Sequence, residues 1–438
     1  MPELNFDGLV GPTHNYAGLA HGNLAAQRHA GSVGNPRSAA LEGLGKMRAL
    51  LQLGVGQAVL PPQPRPALRE LRQLGFSGSD ADVLAAADDA GLLAVYSSAS
   101  SMWVANAATV VPSCDARDKR LHLHVANLAT QTHRAIEAKT TARVLRGIFS
   151  DPTRFVVHDP LPCVPHFTDE GAANHTRLVT DKAACHLFGW GRSEVTEGEA
   201  PKVHRARQSL EASAAVARRA DIATKVLFWQ QHPTGIDAGS FHSDVLCVGH
   251  RHVLLLHELA FLDRVGLEQE LRSLLGPDLE IYVATESELP VSDAVLSYPF
   301  NSQLVTVEDG SMGIVAPTEA RDQPTARAYL DRVVSQSPSV GGVHWVGVNG
   351  SMKNGGGPAC LRLRIFLTDD EIAALPVGVV MSEARLVRLE AWVNKHYRDS
   401  LALDDLRDPL LHQESCQALD ELTSVLGLGS IYEFQQGP

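Results

Sequence analysis

Five segments of the chain share one layout, in which a small or aromatic residue precedes one polar or reactive residue and then an apolar run. They are Trp103-Val-Ala-Asn106, Gly171-Ala-Ala-Asn174, Phe241-His242, Pro299-Phe-Asn301 and Pro358-Ala-Cys360, each leading into a stretch that reads as a strand. Their central residues, Asn106, Asn174, His242, Asn301 and Cys360, lie 68, 68, 59 and 59 residues apart. Self-similarity at a nearly fixed period is the mark of a repeat architecture. Five copies of one unit around an axis would each offer a polar residue to a common centre. They would also make residues 1–438 a single domain, where length alone suggests about two or three. Any α/β chain places strands at such intervals, so the chemistry of these residues has to decide between the two readings.

The local signals are those of an α/β protein. Asn35-Pro36 is a cap followed by an N1 proline, and Leu41, Leu44, Met47 and Leu51 then recur at helical spacing until Gly54. Further helices are expected over 67–74, 207–219, 325–336 and 383–398, and Thr368 with Glu371 reads as a capping box. Strands are expected at Val226-Leu-Phe-Trp, Asp244-Val-Leu-Cys-Val, Val253-Leu-Leu-Leu, Leu279-Glu-Ile-Tyr-Val and Leu361-Arg-Leu-Arg-Ile-Phe. Gln303–Val307 and Met312–Ala316 flank an Asp309-Gly310 hairpin turn. Residues 6–19 carry three glycines and read as an ordered loop.

With 44% hydrophobic and 20% charged residues and no low-complexity tract, the chain is globular. No signal peptide or membrane-length apolar run is legible, so a cytoplasmic protein is expected. A net charge of -12 disfavours nucleic acid and suits a cationic small substrate. Six cysteines without a C-x-x-C pair argue against both a disulfide framework and a zinc ribbon.

Asn354-Gly-Gly-Gly-Pro-Ala-Cys360 is the most informative stretch. Consecutive glycines allow unusual backbone conformations and close approach to a ligand. The strand that follows excludes a phosphate loop, whose glycines lead into a helix. Cys360 at the lip of such a loop is either a nucleophile or an inert buried thiol. His242 and Asp244, two apart at a strand entrance, would face one pocket, with the histidine as proton shuttle; a surface pair is the alternative. Asp169 and Glu170 suit a cation-binding lip or, equally, a solvated helix start. His122 and His124 share a strand face and read as solvated, without further ligands for a metal. The other cysteines read as small core residues.

A glycine triplet before a late cysteine, an upstream H-x-D and an earlier acidic site resemble the pentein, or guanidino-group-modifying, superfamily. The loop 6–19, Ser100-Ser-Met-Trp-Val-Ala-Asn-Ala-Ala-Thr, 169–175, 241–244, 354–364 and Leu426-Gly-Leu-Gly-Ser-Ile-Tyr are similar to the N-succinylarginine dihydrolase family within it. The resemblance implies a five-bladed α/β-propeller of pseudo-fivefold ββαβ-type repeats and hydrolysis of a guanidinium without metal or cofactor. It also implies a homodimer. Cys360 would be the nucleophile, His242 the general acid/base and Glu170 a second acid/base or orienting carboxylate. Substrate contacts would come from the loop Ala17, Gly18, Leu19, Ala20, His21, Gly22, Asn23, Leu24, Ala25 and Ala26, and from Asn106, His133, Arg134, Arg207, Asp244 and Asn354. Arg134 and Arg207 are suited to fork onto the substrate's carboxylates. A guanidine deiminase releasing one ammonia, a non-catalytic pentein and a cysteine-dependent acyl hydrolase are the competing expectations.

Overall fold

A computed structural model describes residues 2–196 and 198–436. Its fifteen strands form five sheets of three, each built on one plan. The sheets are β3 (Ala108–Val111), β4 (Leu121–Val125) and β5 (Phe155–His158); β6 (His175–Val179), β7 (Ala184–Trp190) and β8 (Lys225–Gln230); β9 (Cys247–His250), β10 (Val253–His257) and β11 (Glu280–Ala284); and β12 (Gln303–Thr306), β13 (Met312–Pro317) and β14 (Val340–Val346). The fifth joins the two ends of the chain, with β15 (Arg362–Phe366) beside β1 (Glu3–Gly8) and then β2 (Gly56–Leu60).

In every sheet the first strand pairs antiparallel with the second, and the second pairs parallel with the third. A parallel return needs a crossover, and each is made by helix: Pro36–Gln52, Ala138–Ile148, Leu210–Arg219, Arg264–Leu275 and Pro324–Gln336. The unit is therefore ββαβ, repeated five times, and the expected five-bladed α/β-propeller is the observed fold. Because β15 pairs with β1 in register Phe6↔Leu363, the ring is closed by hydrogen bonds between its first and last strands.

The middle strand of each sheet is short and buried on both faces, which is why it reads as an apolar run; all of Val253–His257 is buried. Asn35 caps Pro36–Gln52 by accepting from the Ser38 amide at 2.8 Å, and Thr368 and Glu371 form the expected capping box. The helix expected from residue 207 starts at Leu210, because the Ser209 hydroxyl accepts from the Ala212 amide and sets the N-terminus there. Arg207 and Gln208 are thereby left outside the helix. The loop expected at 6–19 contributes its first three residues to β1, where Phe6 is fully buried.

Two further expectations fail. His122 and His124 are buried, not solvated: His122 bridges His158 Nε2 at 2.8 Å and Asp118 at 2.9 Å, and His124 stacks on His158. The spare cysteines are not uniformly core residues either, since Cys114 and Cys163 are exposed while Cys185 and Cys247 are buried. No helix among the described residues is long and apolar enough to cross a membrane.

Candidate active site

Each of the five repeated segments forms a tight turn just ahead of the first strand of its blade. Three of these turns are 3-10 helices, Val104–Asn106, Gly171–Asn174 and Ser243–Val245. The turns are stitched to one another in a closed circuit. The Ala105 amide donates to the Cys360 carbonyl at 3.1 Å, and Asn106 Nδ2 donates to the Glu170 carbonyl at 2.7 Å. The Ser243 amide donates to Asn174 Oδ1 at 2.8 Å, and Asn301 Nδ2 donates to the Asp244 carbonyl at 3.3 Å. Asn301 Oδ1 then accepts from the Cys360 amide at 3.3 Å, which returns to the start. Four of the five links are made by the side chains of Asn106, Asn174 and Asn301 and the fifth by backbone, so that Cys360, His242 and Asp244 are gathered where the five turns meet.

His242 and Asp244 do not lie on a strand, as their spacing suggested. His242 precedes the 3-10 turn, and β9 begins only at Cys247. The turn separates their tasks. His242 Nε2 lies 2.7 Å from Glu170 Oε2, whereas Asp244 Oδ2 lies 3.9 Å from Cys360 Sγ. Glu170 also accepts from Thr130 at 2.8 Å and from Arg134 Nη1 at 2.5 Å. Burial alone would raise its pKa, but Arg134 and the His242 contact outweigh burial and hold it well below the usual range. Glu170 is therefore a carboxylate, which only accepts hydrogen bonds, so His242 Nε2 carries a proton. His242 Nδ1 is then the basic nitrogen, and it has no hydrogen-bond partner among the described residues. Burial lowers the His242 pKa to about 4, partly countered by Glu170, so the ring rests neutral.

Burial acts in the opposite sense on the two acids across the site. It pushes Asp244 up to about 7 and the Cys360 thiol well above its ordinary value, where the neighbouring Asp244 adds to the rise. Asp169, expected to share the acidic lip, turns away: its Oδ1 accepts from the Gly171 amide and Gln208 Nε2, both at 3.2 Å. Its carboxyl, raised to about 6 by burial, supports the turn instead.

The glycine triplet is explained mainly by space. A Cβ on Gly355 would stand 1.9 Å from Asn23 Oδ1, one on Gly356 would meet Trp103 Nε1 at 2.1 Å, and one on Gly357 would meet Asn301 Oδ1 at 2.8 Å. Only Gly355 also needs its positive φ of 84°. The loop is held from above by the segment 17–26, where Asn23 caps the helix Leu24–Arg28 through the Ala26 amide and donates to the carbonyls of Asn354 and Gly355 at 3.0 and 3.4 Å. Asn354 Nδ2 donates to the Asn15 carbonyl. Arg207 lies over the Phe241 ring at 4.6 Å and donates to the His21 carbonyl at 2.8 Å. His133, lowered to about 3 by burial and by the adjacent arginines, is a neutral neighbour of Arg134. Cys360, His242, Glu170, Arg134, Arg207, His133 and Asn106 are all nearly inaccessible, so segment 17–26 closes the site.

Some residues here carried little signal in the sequence. Tyr298, in a left-handed conformation, donates to the Gly355 carbonyl at 3.1 Å. Lys46 pairs with Asp7 at 2.7 Å beneath the loop, with Nζ 3.4 Å from the Pro358 carbonyl that Gln303 also binds at 2.6 Å. Among the described residues no cluster of His, Cys, Asp or Glu is arranged to hold a metal ion.

A family model described as succinylarginine dihydrolase matches residues 1–435. The chain belongs to the succinylarginine dihydrolase family. It is 57% identical to the N-succinylarginine dihydrolase of Myxococcus xanthus and 51% identical to that of Aeromonas hydrophila, covering all of the first chain and 99% of the second. Among solved structures, the product-bound N-terminal domain of ArgZ, an arginine dihydrolase from the ornithine-ammonia cycle in cyanobacteria, superposes with a TM-score of 0.52 at 14% identity. That match covers 84% of this chain and 98% of the domain, and it shows that the two share a fold.

Proposed function

We propose that the chain is one catalytic domain, 1–438, that hydrolyses N-succinylarginine with two waters to N-succinylornithine, two ammonia and carbon dioxide. The reading is carried by the position of Cys360 beside Asp244, opposite the His242–Glu170 pair, inside a family match that runs the length of the chain. A guanidinium carbon is weakly electrophilic because its charge is delocalised, so a sulfur nucleophile is needed to attack it. Asp244 and Glu170 hold the cation, while Arg134, Arg207, His133, Asn354 and the 17–26 loop take up the two carboxylate ends.

The resting site is not armed, since Cys360 is a thiol and Asp244 is close to half-protonated at neutral pH. A bound guanidinium supplies the positive charge that favours both ionised forms. His242 Nδ1 takes the thiol proton, the Sγ–C bond forms, and the C–N bond breaks as that proton passes to departing ammonia. The same nitrogen then deprotonates a water, the C–O bond forms and the C–S bond breaks, leaving a ureido compound. A second round on that carbon releases the second ammonia and a carbamic acid, which loses carbon dioxide.

The test is incubation with N-succinylarginine, with ammonia counted per substrate and the cysteine adduct located by mass spectrometry. Two ammonia and an adduct on Cys360 are expected. One ammonia would mark a deiminase, an adduct on another cysteine would overturn the site, and full activity in Cys360→Ser would mark a different chemistry. A homodimer in the cytoplasm completes the proposal, read from the family resemblance, and size-exclusion chromatography with light scattering tests the dimer.

A further inference from the structure

A cavity lies behind Cys360, on the side away from segment 17–26. It is walled by residues of the inner strands and their turns, including Ala105, Val110, Asp244, Val248, Ala359 and Arg362. Two of its walls carry polar atoms that are buried and without a hydrogen-bond partner among the described residues: Asp244 Oδ1, and Nε and Nη1 of Arg362, whose side chain is 9% exposed. An acceptor and two donors buried without partners in the wall of one cavity suit polar contents of small size. A second cavity, which shares Arg177 and Phe366 as walls, is lined by Glu3, His250 and Arg251. There the Arg177 guanidinium sits 5.3 Å over the Phe366 ring, forming a neck.

We propose that this axial cavity is a rear port through which water enters and ammonia leaves while segment 17–26 stays closed over the substrate. The idea rests on the reaction proposed above and accounts for its second round. Between rounds one ammonia must go and one water must arrive at the carbon. If both pass by the front, the loop has to open and the ureido intermediate escapes; if both pass by the rear, the intermediate is retained and attacked again. The lining suits the traffic. Ammonia leaves the carbon neutral, having taken the proton from His242, and meets a polar wall in which Arg177 is paired with Asp115 and Arg362 and Arg364 with Glu3. Asp244 joins the two compartments, with Oδ2 toward Cys360 Sγ and Oδ1 unpartnered at the cavity wall.

The test fills the cavity from positions outside the reacting groups, with Val248→Leu, Val248→Phe and, from another blade, Val110→Phe. Wild-type protein must first give two ammonia per N-succinylarginine; failure there removes the reaction itself, not the port. In the variants the first Cys360 adduct, followed by rapid quench, is expected to form within about twofold of the wild-type rate. Ammonia per substrate falls from two toward one, and the ureido compound appears in solution in the order V248L < V248F. Variants that fold with unchanged melting temperature, release no ureido compound and still give two ammonia would overturn the proposal. Should both phenylalanine variants misfold, the leucine variant decides by the same ammonia count.

Discussion

Asp244 is the group beside Cys360 that titrates near pH 7, and this makes substrate binding pH-dependent in a calculable way. Its carboxyl rises from 3.8 to about 7 in the empty site, a penalty on the ionised form of about 4 kcal/mol at ~1.4 kcal/mol per pKa unit. A guanidinium about 4 Å away in a medium of effective dielectric about 20 returns about 4 kcal/mol, enough to bring the carboxyl back to its ordinary range. At pH 6 Asp244 is about nine-tenths protonated in the free protein, so binding must release about one proton there and almost none at pH 8. His242 is neutral and Glu170 ionised throughout this window, so neither contributes. The assay is titration calorimetry of N-succinylarginine into Cys360→Ser protein, which does not turn over, in buffers of different ionisation enthalpy. The dissociation constant should be about tenfold weaker at pH 6 than at pH 8, and Asp244→Asn should bind weakly with no pH dependence. Binding at pH 6 without proton release, at the affinity seen at pH 8, would refute the reasoning.

Three further outcomes follow from the packing. Gly355→Ala forces a Cβ into Asn23 at a positive φ, so kcat/KM should fall by about 100-fold or more with a modest loss of melting temperature, as the closing segment loses its anchor. Asn301→Ala removes the two side-chain hydrogen bonds by which Asn301 holds the neighbouring turns and leaves the Cys360 amide unsatisfied; about 2–4 kcal/mol of stability should disappear in urea unfolding, together with activity. Lys46→Met strands the buried Asp7 and should cost about 3–5 kcal/mol, most of which Lys46→Met with Asp7→Leu should recover, since replacing both charges removes the stranded one.

What was legible in the sequence is what local patterns encode. The five turns were found because a polar residue ahead of an apolar run is a local signal, and three of those residues, Asn106, Asn174 and Asn301, prove to be the staples of the ring. Strand β1 was read as loop because Phe6, Asp7 and Gly8 make no strand by themselves; pairing with β15, some 360 residues away, makes them one. The start of the helix at Leu210 turned on the Ser209 cap, and that single shift is what leaves Arg207 free to reach Phe241 and His21. His242 and Asp244 were grouped by a strand periodicity that does not apply, and they meet the site through a 3-10 turn that sends one side chain to Glu170 and the other to Cys360. Lys46 and Tyr298 had no signal at all, because a lysine in an amphipathic helix and a tyrosine before a loop are ordinary until the fold buries them under the glycine loop.

The closed ring and the resting state of the site are linked. Hydrogen bonding the turns around the axis buries Cys360 and His242 and keeps both neutral, and it raises Asp244 until it is about half-protonated at neutral pH. On the proposed mechanism Cys360 is a nucleophile that rests as a buried thiol, protected from oxidation and alkylation, while the exposed Cys114 and Cys163 are not. The charge that arms it has to come from the ligand, and a delocalised cation between two carboxyls is the ligand that supplies it without stranding a charge of its own. Glu170 alone is kept ionised in the empty state, by Arg134, and so it fixes the His242 tautomer before any substrate arrives. The fold thus sets one charge in advance and leaves the others to be set by binding, so that reactivity and recognition of the guanidinium become one event.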